Sequence, residues 1–323
     1  MAKDNDVQIN DQVQSLINAV NNYFPGKVTV DFIGKMKAGF VRQDQSQIVQ
    51  DKDHIYIQVS DLSAPNYTAS HELLHLLMIL RGFPQVFFSL TTGQDQLDDQ
   101  LKMMGTELYD IVSHIVVVAE QRKHNLINKR IEALYFNGIY NTIKPEPNPL
   151  DDQMTLRLLT LIDAHVFYGD NYDSVSDQLK KDFPVSFAAA EKIYNIITEK
   201  PTNSPFELRR NVVKIFKAFD NQLKQWELPP LHNSEFTTVT TVLSKRQLNL
   251  EVRQLFQIFH SELFEKNTDT RAYVGFYKAD EQNSFVISGP KGNKEDPEFF
   301  KSMYDKKVED LFKELKMPYI IRQ

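Results

Sequence analysis

Apolar residues recur along this chain at two periods, near 3.6 and near 2, and the changes of period mark out its elements. Val7, Ile9, Val13, Leu16, Ile17, Val20 and Tyr23 keep helical spacing until the breaker Pro25-Gly26. Val28, Val30 and Phe32 then alternate with Thr29 and Asp31, the pattern of a half-buried strand. Gly39-Phe40-Val41 reads as the start of a second strand, the polar run 43–47 as a loop, and His54 to Val59 as a third strand. Residues 66–81 carry Leu73, Leu74, Leu76, Leu77, Met78, Ile79 and Leu80, which predicts a buried helix. Pro65, Asn66 and Thr68 supply its opening chemistry, and Gly82 with Pro84 beyond supplies its stop. Phe83, Phe87 and Phe88 follow in a loop, as pocket lining or simple packing. Helical patterns resume over 97–124 and 126–140.

Lys144-Pro145-Glu146-Pro147-Asn148-Pro149 interrupts the pattern, because three alternate prolines cannot continue a helix. Three helical stripes follow between 150 and about 230, separated by Pro184, Pro201 and Pro205. The tail differs: a threonine-rich stretch 237–242, an amphipathic helical pattern over 246–265, a hairpin pattern at 273–277 and 285–288, and a charged final helix over 297–316. The expected class is α+β, in three segments: 1–143, a helical region 150–232, and a small α+β region 235–323.

Composition narrows the function classes. The chain has 323 residues, enough for a substantial core, and its formal net charge of −6 gives no electrostatic reason to expect nucleic acid or an anionic membrane as partner. With no cysteine, disulfides and thiolate metal sites are excluded, which leaves His, Asp and Glu as ligands. The start, Met-Ala-Lys-Asp-Asn-Asp, lacks the apolar core of a signal peptide, and no run approaches the roughly 18 apolar residues that span a bilayer. The expected location is the cytoplasm.

The chemistry sits in the buried helix. Asn66-Tyr67-Thr68-Ala69-Ser70-His71-Glu72-Leu73-Leu74-His75 contains His-Glu-x-x-His, so His71 and His75 lie one helical turn apart and face the same way. Both imidazoles can bind one ion, and Glu72 can reach a water on that ion as general base. Zn2+ is the expected cofactor and a protein or peptide the expected substrate. Catalytic zinc normally keeps three protein ligands plus water. On the helix over 97–124, Glu107, Asp110 and His114 share one face, with His114 deepest in the valine-rich part. His114 is the first choice for third ligand; Glu107 and Asp110 are alternates, Asp110 also as a carboxylate that orients a histidine. His165 and Tyr168, at the end of another helix, are candidates for holding an oxyanion.

The run from Asn66 to His75, preceded by the strand-like His54 to Val59, resembles the ImmA/IrrE family of bacterial zinc metallopeptidases. The resemblance implies a zincin-like N-terminal domain, with a small sheet and an active-site helix. It also implies Glu107 as third ligand and a regulatory protein as substrate. The chain departs from the family pattern at Leu74, where a glycine is usual, at Ser70, which stands between Ala69 and His71, and in lacking the family's downstream Glu-x-x-Ala-Asn-x-Phe-Ala segment. The expectation is therefore a zinc-dependent peptidase; the alternative is a non-catalytic metal-binding regulator on the same scaffold. Oligomeric state is not legible.

Overall fold

A computed structural model describes residues 7–266, 268, 270–290 and 297–322; the polar start Met-Ala-Lys-Asp-Asn-Asp lies outside them. The chain is mixed α+β with small sheets, and no helix among the described residues is long and apolar enough to cross a membrane. It forms two compact units, each discontinuous in sequence.

The first unit contains the chain through Gly82 together with Ser113–Tyr194. It begins with α1 (Asp11–Tyr23), β1 (Lys27–Met36), β2 (Ser46–Asp51), β3 (His54–Asp61) and α2 (Pro65–Leu80). The strand order is β1-β3-β2, with β1 parallel and β2 antiparallel to the central β3. Alternate residues of β3, Ile55, Ile57 and Val59, are buried on one face and join a core with Val13, Leu16, Ile17 and Val20 of α1 and Leu73, Leu74 and Leu77 of α2.

The second strand differs from the one expected. Residues 39–41 bond outside the sheet: Gly39 N donates to Ser63 Oγ and Val41 N to the Leu134 carbonyl. The polar stretch from Ser46 instead pairs with β3 from Ser46↔Val59 to Asp51↔His54, through a tight turn that places Lys52 at φ 52°. An exposed edge strand needs no apolar pattern, so the run had no strand signature.

The entrance to α2 is tied down on several sides. Buried Asp61 accepts from Ser63 N and Ala38 N, while Asn66 reaches back to the start of α1, accepting from Asn10 N and donating to the Gln8 carbonyl. Asn66 is thus a brace between helices, and Pro65 occupies the first turn as expected. Gly82, at φ 76°, ends the helix in the left-handed region that glycine tolerates.

The rest of this unit comes from α3 (Asp95–Lys123, its part from Ser113), α4 (Lys129–Thr142), α5 (Met154–Tyr168), α6 (Asp173–Asp182) and α7 (Pro184–Thr198, through Tyr194). The proline run 144–149 lies inside this unit and is no boundary. The Lys144 carbonyl accepts from buried Arg157, and the Glu146 carboxylate accepts from Val185 N and Ser186 N in the first turn of α7. Prolines ended one helix, but side-chain caps stitched the loop to the next two.

The second unit, Phe83–Val112 and Asn195–Gln323, holds β4 (Val86–Phe87), β5 (Leu90–Thr91), α8 (Pro205–Gln225), α9 (Asn233–Phe236), β6 (Thr238–Val239), β7 (Thr241–Leu243), α10 (Lys245–Leu248), α11 (Val252–Leu255), β8 (Phe256–Glu265), β9 (Arg271–Tyr277), β10 (Gln282–Ile287), α12 (Pro297–Asp305), α13 (Val308–Glu314) and β11 (Tyr319–Ile321). Its main sheet runs β10-β9-β8-β5, and β9-β10 is the expected hairpin. The expected helix over 246–265 is instead two short helices and strand β8. Phe256 to His260 pair with Tyr277 to Tyr273, and a sheet suits such aromatic and β-branched residues. The expected final helix is also divided, because Val252 N donates to Lys306 O and Val308 N to Leu250 O, which pulls the backbone at 306–307 out of helical form. Phe88 packs near Phe236 at 6.1 Å between ring centroids.

Candidate metal centre

Helix α2 places His71, Glu72 and His75, and α3 places His114. Buried positions His114, Val117, Val118 and Gln121 recur at i, i+3, i+4 and i+7, so they form one face of α3. Gln121 meets Tyr67 and Ser70 near the start of α2, while His114 meets His71 and His75 further along it. The contacts run in opposite order along the two helices, so the helices are antiparallel.

The three imidazoles form a triangle, with ring centroids 4.7 Å apart for His71–His75, 4.8 Å for His71–His114 and 5.2 Å for His75–His114. One nitrogen from each lies within 4.8 Å of the others. Zinc bonds of about 2.0–2.1 Å in a tetrahedral site set ligand atoms about 3.4 Å apart, a closure within reach of small side-chain rotations. His114 is 3% exposed, whereas His71 and His75 each keep part of a face open to solvent.

Among the described residues this triad is the one group of His, Asp or Glu side chains arranged for an ion. Glu107 and Asp110 do not belong to it. Glu107 shares the His114 face but lies two turns earlier, about 10 Å along the helix axis, too far to share an ion with His114.

His114 is held from behind. Its Nδ1 lies 2.5 Å from Asp163 Oδ1, and the Tyr135 hydroxyl donates to Asp163 Oδ2 at 2.6 Å. This is the carboxylate–histidine arrangement that fixes a ring and its tautomer. Burial disfavours the charged form of Asp163, but His114 and the Tyr135 hydrogen bond outweigh it, and its pKa lies below the ordinary carboxylate value. Tyr135 itself stacks on Phe167 at 3.7 Å.

Protein atoms crowd His71 and His75 on their closed sides. Burial, then the charge His114 can carry, pushes His71 down to about 3, against smaller opposing effects of Asp163 and Gln121. Burial, then His71 and His114, holds His75 well below its ordinary value. Both rings are therefore neutral at pH 7, the form that binds metal. Glu72 moves the other way: burial raises its pKa, partly offset by the Ser46 hydroxyl, which donates to Oε1 at 2.7 Å, and by His114.

His165 and Tyr168 have other partners. The Tyr168 hydroxyl donates to the Glu132 carbonyl at 2.7 Å, and His165 stacks on Tyr172 at 3.7 Å and on Tyr194 at 5.1 Å. The Tyr168 hydroxyl is committed to that carbonyl, and His165 sits in an aromatic cluster with its Nε2 buried. Burial lowers His165 from 6.5 to about 4, so between those values the unfolded chain binds the extra proton and stability falls as pH drops. The gap, 6.5 − 4, corresponds to at most about 3 kcal/mol. His165→Phe should accordingly lose about 2–3 kcal/mol less than the wild type between pH 7 and pH 4.5 in denaturant melts. Equal losses would show that His165 does not carry this pH dependence.

Asp163, Tyr135, Gln121 and Ser46 were not picked out from the sequence. Asp163 had a signal, a single acid within the apolar run Leu158–Tyr168; Ser46, in a polar stretch, had none. Comparison of the chain with protein-family models, with curated proteins and with solved structures finds no match.

Proposed function

We propose that the chain is a zinc-dependent peptidase with a zincin-like first unit, His71, His75 and His114 holding the ion and Glu72 acting as base. One observation carries this reading: two histidines from one helix and a third from its antiparallel neighbour converge beside a half-buried carboxylate, Glu72. The donor set fits zinc. Three neutral imidazoles favour zinc and its transition-metal neighbours over magnesium or calcium, which prefer oxygen ligands.

When bound, zinc supplies a lowered pKa for a water and polarisation of the peptide carbonyl. With the ion bound, Glu72 would be the residue to take a proton from the attacking water and return it to the leaving amine. Its raised proton affinity brings it nearer the working pH, where a group that both accepts and donates is most effective. The free edge of β2 suits an extended peptide, since an edge strand offers unpaired backbone groups, and Ser46 at its start already touches Glu72. The three-histidine set departs from the glutamate ligand that the ImmA/IrrE resemblance implies, while the Asn66–His75 run still favours a regulatory protein as substrate. We place its action in the cytoplasm, in keeping with a cysteine-free chain.

Purified protein equilibrated with zinc and dialysed should retain one ion per chain by elemental analysis. It should cleave a labelled denatured protein and stop when a chelator is added. Zinc retention without cleavage would point to a metal-binding regulator; no retention would remove the proposal.

A further inference from the structure

Gln121 is fully buried on α3, two turns beyond His114 on the same face. Both hydrogens of its amide are committed: Nε2 donates to the Tyr67 carbonyl at 3.1 Å and to Ser70 Oγ at 2.8 Å. Ser70 Oγ in turn donates to the same carbonyl at 2.7 Å. This fixes which way the amide faces. Turned over, it would set its oxygen against the Tyr67 carbonyl, and Ser70 has already used its proton there.

The amide oxygen is the atom left over. Gln121 Oε1 and His71 Nδ1 are both buried, and neither has a partner in full hydrogen-bond geometry. Two orphaned buried atoms, one an acceptor and the other able to carry a proton, satisfy each other when the gap between their side chains closes. The two side chains lie within hydrogen-bonding reach of each other.

We propose that Gln121 is the positioning residue of the metal centre, its amide oxygen taking the Nδ1 proton of His71 and so presenting Nε2 of that ring to the ion. Ser70 and the Tyr67 carbonyl form the clamp that keeps the amide the right way round. This gives Ser70, one residue before His71, a task in the site. His114 and His71 are then oriented from opposite sides by different chemistry, a carboxylate behind one and a neutral amide behind the other. A neutral amide sets the tautomer without adding a negative charge behind the second ring.

The inference rests on the metal reading for its role and stands apart from it in one measurement. Gln121→Met keeps the volume and removes both amide functions. In metal-free wild type, nitrogen–proton correlation spectra should show His71 as the single Nδ1–H tautomer; in Gln121→Met the two tautomers should mix. Zinc affinity, measured by competition with a chromogenic chelator, should fall about 10–100-fold with an unchanged circular dichroism spectrum. An unchanged His71 tautomer in the variant, or zinc affinity within about twofold of wild type, overturns the proposal. Should Gln121→Met not fold, Ser70→Ala removes one jaw of the clamp and should produce the same tautomer mixing. A single Nδ1–H tautomer in Ser70→Ala overturns the proposal on its own. Wild type that binds no zinc defeats the peptidase reading, while the tautomer measurement still decides what Gln121 does.

Discussion

Glu72→Gln is expected to hold one zinc per chain and to lose peptide-bond hydrolysis by about 10²–10⁴-fold, the usual contribution of a positioned acid–base group. The substitution keeps the shape of the side chain and an oxygen able to accept from Ser46, so α2 and both of its histidines stay in place. What it removes is the ability to take and return a proton. Because burial already disfavours the charged form of Glu72, the neutral amide should melt no lower than wild type. Metal content by elemental analysis and cleavage of a labelled denatured protein, measured on the same sample, decide the matter. Zinc lost together with activity would make Glu72 structural. Zinc and activity both kept would place the base elsewhere.

The second large effect concerns the third ligand. His114→Ala should lower zinc affinity by more than the 10–100-fold typical of removing a residue that only orients a ligand. Asp163→Asn, which disturbs the residue behind His114, should fall within that smaller range, and Glu107→Ala should leave affinity unchanged. The order of the three separates a histidine ligand from the glutamate that the family resemblance implies. His114→Ala leaves the largely enclosed Asp163 carboxylate without its histidine, so folding must be checked by circular dichroism before its metal content is read. A large loss in Glu107→Ala with none in His114→Ala would reverse the assignment.

Where the sequence carried a strong local signal, the reading was good. The α2 helix had a proline at its start, a glycine at its end and a continuous apolar face, and it spans Pro65–Leu80 against an expected 66–81. The hairpin of β9 and β10 was equally visible, with alternating residues on both sides of a polar turn. Failures came where partners distant in sequence decided. β2 is polar and exposed, and became a strand because β3 offered it backbone partners. Residues 246–265 carry a pattern that a helix or a strand can use, and pairing with β9 settled part of the stretch as strand β8. The three consecutive segments expected from the proline run gave way to two interleaved units, since α3 and α7 each contribute to both.

By itself the sequence determined the spacing of His71, Glu72 and His75, and with it their common helix face, because a helix has a fixed pitch. It also narrowed the third position to one face of α3. Only the tertiary structure decided that His114 joins them, that Asp163 stands behind the His114 ring, that Gln121 grips Ser70, and that Ser46 meets the carboxylate. The physical reason is range. Helical pitch and capping act over a few residues, whereas each of those four contacts joins side chains 26 to 51 residues apart, through packing that no local pattern encodes.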